Sequence, residues 1–173
     1  QAAKLNDDVE VAHYAATAVA QISKESDLKL QQLERAFKTD PSAQNLNEYC
    51  DFLGEYLGSG LAEGRVAQIQ RQQYARLLAR RCEREDALEL RIRYATALAD
   101  VGQIDEAQAV TDQLVLDVPE EQEVWMLCLR LVVMRRDGDE VHRVIDAIDK
   151  QHVYLSAANR EELAFWRNGE EAR

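Results

Sequence analysis

The chain contains only two prolines, Pro41 and Pro119, and each of them follows an amphipathic stretch. A glycine, Gly102, and an acidic first turn open the stretch that leads to Pro119. Proline ends a helix because it lacks a backbone N–H and because its ring clashes with the preceding turn. Breakers this rare favour long helices over a sheet that needs many turns. The sequence therefore predicts an all-α fold built from helical hairpins that the prolines punctuate.

Composition and charge limit the classes of protein that remain. The 173 residues, of which 46% are hydrophobic, are enough for one domain with a core. The net charge of −11 would repel phosphates, so nucleic acid is not expected as a partner. No stretch approaches the ~18 consecutive apolar residues of a membrane-spanning helix. Because the first residue is Gln1, the sequence reads as an excised or processed segment, with room for an anchor or signal upstream.

Three cysteines, Cys50, Cys82 and Cys128, form neither a C-x-x-C pair nor a closed set of disulfides. An odd number of cysteines indicates a reducing compartment, where thiols persist. We expect all three to be plain thiols in or beside helix cores.

Apolar residues that recur every three or four positions predict nine helices and no strand. The first five are expected at about 9–24, after a cap at Ser26 or Asp27, and at about 42–57, 61–82 and 86–101. The sixth begins at a capping Asp105, the seventh covers about 121–136, the eighth carries Val141 to Ile148, and the ninth starts near Ser156 or Asn159. Gln108 is expected to reach back to the start of the sixth helix. Residues 1–8 and 168–173 are expected to fray, which leaves a single domain over 9–167.

The same spacing predicts which side chains face inward. In the third helix the inward residues are Leu46, Tyr49, Cys50, Leu53 and Tyr56 or Leu57. In the fourth they are Val66, Ile69, Tyr74, Leu77 and Leu78. In the eighth they are Val141, Val144, Ile145 and Ile148. Phe165 and Trp166 are expected to pack on the last hairpin rather than bind a ligand.

The positions of the two prolines also suggest a repeat. They lie 78 residues apart, which is two periods of about 34 residues with about ten to spare. The residues that fit the pattern best are Tyr94, Ala95, Leu98, Gly102, Ala107 and Pro119, followed by Trp125, Cys128, Leu129 and Val132. Over about residues 10–153 the chain resembles the tetratricopeptide repeat (TPR) family.

This resemblance implies a right-handed superhelical stack of about four TPR-like helical hairpins, covered by a C-terminal capping helix over 156–166. In such a stack the first helix of each hairpin lines a concave groove that holds partner proteins. Tyr14, Tyr49 and Tyr94 are the expected groove residues, although each fits a core position equally well. Glu48 and Phe52 stand where the family's terminal-carboxylate clamp would need basic or amide side chains, so such a clamp is not expected.

No motif in the chain points to catalysis, a cofactor or a metal. His13, His142 and His152 are scattered, and H-E-x-x-H, G-x-S-x-G, P-loop and zinc-type cysteine patterns do not occur. The segment 137–140 lacks the downstream ligands of a calcium loop and is predicted to be a turn. We therefore expect a protein that is not an enzyme.

Arginines are concentrated between Arg65 and Arg93, where eight of them stand against four acidic residues. Arg76 and Arg80 lie four residues apart on one side of a predicted helix, and Arg84 lies four residues further on. One interpretation is a solvated face that balances acidic neighbours. The other is a docking strip for an acidic protein segment or a membrane surface.

Five short segments resemble the repeat region of the PelE family, an inner-membrane component of the bacterial Pel exopolysaccharide machinery. They are residues 11–16, 30–33, 56–61, 154–156 and 165–166. The resemblance implies transmembrane helices upstream and a repeat domain at the cytoplasmic face of the inner membrane. A cleaved export signal would instead place the domain in the periplasm. The implied function is a scaffold that binds protein subunits of a membrane-associated complex. The alternative is a regulatory sensor that binds a peptide or small ligand in the groove.

Overall fold

The computed structural model describes the backbone of residues 2–167 and the side chains of 17, 18 and 21–167. Its helices are α1 (Ala2–Thr39), α2 (Ala43–Gly58), α3 (Gly64–Cys82), α4 (Leu88–Asp100), α5 (Ile104–Asp117), α6 (Gln122–Arg135), α7 (Gly138–Lys150) and α8 (Ala157–Arg167). These residues contain no strand, which confirms the prediction of an all-α chain. The predicted frayed end, 168–173, lies outside the described residues.

The first two predicted helices are one continuous helix, so eight helices replace the predicted nine within residues 2–167. Helix α1 passes through Ser26 and Asp27, and the prediction that one of them caps a new helix is wrong. The reason is that α1 contains neither glycine nor proline, and a serine or aspartate caps a helix only where the backbone turns extended. The Asp27 carboxylate instead accepts a hydrogen bond from the Tyr56 hydroxyl at 2.5 Å.

The chain divides into two compact units, Gln1–Gln70 and Arg71–Arg173. In the first unit α1 packs on α2. Ser42 caps α2, because its Oγ accepts a hydrogen bond from the backbone N–H of Asn45. The predicted inward residues of α2 are confirmed as buried: Leu46, Tyr49, Cys50, Leu53 and Tyr56.

Helix α3 begins at Gly64, three residues later than predicted, because Gly60 and Gly64 hold left-handed backbone with φ of 74° and 57°. The prediction that Val66 and Ile69 face inward is wrong, since their side chains are 59% and 57% exposed. Alanines occupy the buried positions instead, at Ala67 and Ala75, while Leu77 and Leu78 are buried as predicted. Small side chains give a weak sequence signal, which explains why the larger residues misled the prediction.

The second unit contains two consecutive helix pairs, α4 with α5 and α6 with α7. Helix α6 also packs on α4 and α5, and α8 packs on α7. Gly102 makes the turn that ends α4, with φ of 81°, and the N–H of Gln103 bonds back to the Leu98 carbonyl at 2.9 Å. One buried cluster joins α4, α5 and α6 through Ala95, Leu98, Ala99, Ala107, Leu127 and Leu131.

The prediction that Asp105 caps α5 is wrong, because the helix begins at Ile104 and no side chain caps it. The Gln108 amide donates a hydrogen bond forward to Asp112 rather than back to the helix start. Asp105 lies in the first turn, where the helix dipole favours an anion, and it pairs with Arg135 at 2.5 Å.

A second buried cluster joins α6, α7 and α8. It includes the four inward residues predicted for the eighth helix: Val141, Val144, Ile145 and Ile148. Trp166 of α8 packs against this cluster, as predicted. Phe165 is not part of the cluster: the residue is 45% exposed, and its ring stands edge-on to Trp166 with ring centroids 5.1 Å apart.

Candidate functional site

An open groove with a volume of about 500 Å³ lies in the second unit, between α4, α6 and α8. Its floor is apolar and consists of Ile92, Met126 and the buried Leu127. Its charged rim contains Glu123, Arg130 and Glu162, all exposed. An apolar floor with a polar rim is the usual anatomy of a surface that binds another protein.

Helical spacing explains why these side chains share one face. Glu123, Met126 and Arg130 lie three and four residues apart and therefore project from the same side of α6. On α4, Ile92 and Thr96 are four residues apart and both line the groove. The buried clusters adjoin this face, since Leu127 lines the groove and also belongs to the cluster of α4, α5 and α6, so burial of the core helps to fix which residues face the groove.

Helix α8 supplies the third wall of the groove and is held there by one amide. The Oε1 atom of Gln122 accepts hydrogen bonds from the backbone N–H of Ser156 at 2.9 Å and from Nδ2 of Asn159 at 3.2 Å. Ser156 in turn caps α8, because its Oγ accepts from the N–H of Asn159 at 3.2 Å. The start of α8 is thereby fixed to the start of α6.

The charged residues on the groove rim differ in whether they form an ion pair within the protein. Arg130 forms an ion pair with Asp100 at 2.6 Å, so its positive charge is offset on α4. In the described part of the chain, neither Glu123 nor Glu162 makes an ion pair. The groove rim therefore carries two exposed carboxylates whose charge no described side chain offsets by an ion pair.

A smaller open pocket, of about 340 Å³, lies between α3, α4 and α5 in the same unit. Arg76 of α3, Tyr94 of α4 and Glu106 of α5 line it. Burial and then the nearby Glu106 carboxylate raise the pKa of Tyr94. Glu106 accepts a hydrogen bond from the Gln103 amide at 3.0 Å. The pocket therefore presents a cation, a hydroxyl and a carboxylate to a ligand.

Of the six residues singled out from sequence, the structure brings Arg76 and Tyr94 together at this smaller pocket. Arg80 is exposed one turn further along α3. Arg84 is also exposed, but α3 ends at Cys82 and Arg84 lies in the following turn, so it does not continue the helical side. Within the predicted strip, only Arg76 and Arg80 share the helix.

Of the other two candidate tyrosines, Tyr49 does not line either pocket. Tyr49 is 3% exposed and packs on Phe37, with ring centroids 6.2 Å apart, so it is a core residue. Tyr14 lies outside the residues whose side chains are described.

The groove residues themselves were missed by sequence reasoning. Ile92 and Met126 fit an ordinary apolar periodicity, and nothing in the sequence separates a half-buried floor from a buried core. One signal was available: Ile92 with Thr96, and Met126 with Arg130, form four-residue pairs in which an apolar residue is followed by a polar one, as at the edge of a buried face. The contribution of α8 had no such signal, because it depends on tertiary packing.

Among the residues that the structure describes, no group of histidine, cysteine, aspartate or glutamate side chains could hold a metal ion. No helix in that part of the chain combines the length and apolarity needed to cross a bilayer. No protein-family model, curated protein or solved structure matches the chain.

Proposed function

We propose that the chain is a non-enzymatic scaffold for protein–protein interaction, and that the groove between α4, α6 and α8 holds a segment of the partner. The observation that carries this proposal is the apolar floor of Ile92, Met126 and Leu127 under a charged rim. Peptide-binding grooves typically combine apolar anchoring positions with polar groups that fix orientation.

We also propose a repeat architecture for the second unit. There, consecutive hairpins would stack in the right-handed superhelical manner of TPR-like repeats, with α8 as the cap. Two features support this: the pairs α4 with α5 and α6 with α7, and the packing of α6 on α4. A stack of this kind requires such contacts between the first helices of neighbouring repeats.

The proposed setting is a membrane-associated complex that makes or secretes the Pel exopolysaccharide, at the cytoplasmic face of the bacterial inner membrane. The proposed partners are protein subunits of that complex. The support is the five short segments over 11–16, 30–33, 56–61, 154–156 and 165–166. A periplasmic setting is the alternative, and the location of the intact protein in fractionated cells distinguishes the two.

The scaffold proposal is tested by co-purification of the tagged, full-length protein from its host. Met126→Arg places a charge on the groove floor, and Thr96→Arg does so on the opposite wall. Both substitutions should remove the partner proteins that the wild type recovers, because each puts a bulky, charged side chain into a groove whose floor is apolar. Circular dichroism shows whether the variants remain folded.

Leu116→Arg is the matched control. Leu116 is apolar and 75% exposed on α5, and it does not line the groove. The control should recover the same partners as the wild type. Recovery of the same partners by all three variants would rule the groove out as the binding surface.

A second candidate function is a regulatory sensor, and the pocket at Arg76 and Tyr94 favours it. Its volume of about 340 Å³ is within the range that small ligands occupy. A ligand with a carboxylate would pair with the Arg76 guanidinium. A thermal-shift screen of carboxylate-bearing metabolites should then find a compound that stabilises the wild type but not the Arg76→Gln variant. A screen without any such compound would argue against the sensor.

A further inference from the structure

The charge on the groove rim carries an inference about the partner. Glu123 stands on α6 and Glu162 on α8, and both carboxylates are exposed beside the apolar floor. Among the described residues that line the groove, the cation is Arg130, which is bound to Asp100 at 2.6 Å, so this pair contributes little net charge. The groove therefore has a negative rim, and a positively charged ligand would meet complementary charge there.

The hydrogen-bonding groups of the groove point to a peptide. Gln122 uses its Oε1 atom to hold Ser156 and Asn159, which leaves the two N–H groups of its amide as donors. Asn159 uses one N–H of its amide for that contact, which leaves its Oδ1 atom as an acceptor. Both residues line the groove. A donor beside an acceptor can pair with the carbonyl and the N–H of a peptide backbone.

The apolar floor of the groove indicates that the ligand also carries an apolar side chain. Met126 is half-buried and packs on the cluster between α6 and α7, and Ile92 faces it from α4. Methionine is flexible and polarisable, which lets such a floor adapt to different apolar side chains. An apolar side chain of the ligand would gain burial at this position.

We infer that the groove between α4, α6 and α8 binds a peptide segment in which a lysine or arginine lies next to an apolar side chain. This inference rests on the proposed scaffold function and adds the chemical class of the partner segment. In the bound state the basic side chain pairs with Glu123 or Glu162, the apolar side chain lies on Met126, and the backbone bonds to Gln122 and Asn159.

The test is a selection of random peptides, displayed on phage, against the full chain, followed by affinity measurements with the enriched peptides in fluorescence anisotropy. The enriched peptides should carry net positive charge and at least one apolar residue. Their affinity should fall about tenfold or more in the Glu123→Lys, Glu162→Lys double variant, because the rim then repels the basic side chain whichever of the two positions it approaches. Both glutamates are exposed, so the fold should tolerate the exchange.

The control is a double variant, Glu55→Lys with Glu63→Lys, which makes the same change in net charge at exposed glutamates in the first unit. It should keep the wild-type affinity, which excludes a general attraction of basic peptides to an acidic protein. Equal losses in the two double variants would overturn the inference.

The remaining outcomes separate this inference from the scaffold proposal. Enriched peptides that are acidic or neutral, yet lose affinity in Met126→Arg, would contradict the basic partner and leave the groove as the binding surface. A selection that yields no peptide sensitive to Met126→Arg would contradict both.

Discussion

The turn between α4 and α5 shows how much one residue can decide. Gly102 has a φ of 81°, in the left-handed region, and the next residue closes the turn onto the Leu98 carbonyl. A Gly102→Ala substitution should lower the free energy of unfolding by about 1–2 kcal/mol, since an L side chain is strained at this backbone angle. No atom lies within 4 Å of the added Cβ, so the cost is conformational. Denaturant unfolding measures it.

Gly138→Ala serves as the control for that prediction. Gly138 lies in the same unit, also has nothing within 4 Å of an added Cβ, and is not among the positive-φ residues. We expect this variant to be as stable as the wild type or slightly more stable. A similar loss in both variants would show that left-handed backbone is not what Gly102 supplies.

The Cys128 thiol gives a prediction about pH. Burial raises the pKa of Cys128 to about 11, and a hydrogen bond with Gln108 offsets only part of this effect. Because the thiolate is the reactive form, about one thiol in a thousand is reactive at pH 8. Alkylation of Cys128 by iodoacetamide should therefore be slow at pH 8 and should accelerate about tenfold per pH unit up to about pH 11.

Mass spectrometry of the alkylated native protein measures that rate, with the half-buried Cys82 as an internal reference. Cys82 should react first, because its thiol is more accessible. In denaturant the cysteines should react at similar rates. A native Cys128 that reacts at pH 8 as fast as Cys82 would contradict the buried, protonated thiol.

At the scale of whole elements, the sequence predicted some helices closely and failed on others. Helix α2 follows Pro41 and Ser42, which mark its start, and α7 has an unbroken apolar stripe, so both were predicted with their buried residues. Helix α1 was divided because Ser26 and Asp27 resemble caps, yet the segment has no glycine or proline to turn the backbone, so neither residue acts as a cap. In α3 the first buried positions are alanines, Ala67 and Ala75, which periodicity does not distinguish from solvent-facing positions.

The continuity of α1 is itself testable at Leu28. This side chain is 56% exposed, so its replacement removes little packing. Leu28→Pro should destabilise the first unit by about 3 kcal/mol, because a proline inside a helix removes one hydrogen bond and clashes with the preceding turn. Thermal unfolding followed by circular dichroism at 222 nm measures the loss.

Leu28→Ala, which keeps the helix intact, should have little effect on the same measurement. If instead a new helix began at Asp27, position 28 would be its first residue, where proline is well tolerated. A proline variant as stable as the alanine variant would therefore support two helices and contradict α1.

At the scale of the molecule, the candidate site depends on helices that are far apart in sequence. The sequence located α4, α6 and the start of α8 near Ser156, but it did not indicate that Gln122 holds α8 beside α6. Two tyrosines that the sequence suggested as groove residues do not line this groove in the structure: Tyr49 lies in a core and Tyr94 lines the smaller pocket. Arg76 was identified as a candidate site residue because the excess of arginine over acidic residues can be counted in the sequence alone.

The central claim is that the groove between α4, α6 and α8 holds a partner protein. The most direct measurement is site-specific photo-cross-linking in the host, with p-benzoylphenylalanine placed at Met126 on the groove floor or at Leu116 on the exposed side of α5. We predict that position 126 cross-links to one defined segment of a partner protein and that position 116 does not. Cross-links that are absent at 126, or equal at the two positions, would contradict the claim.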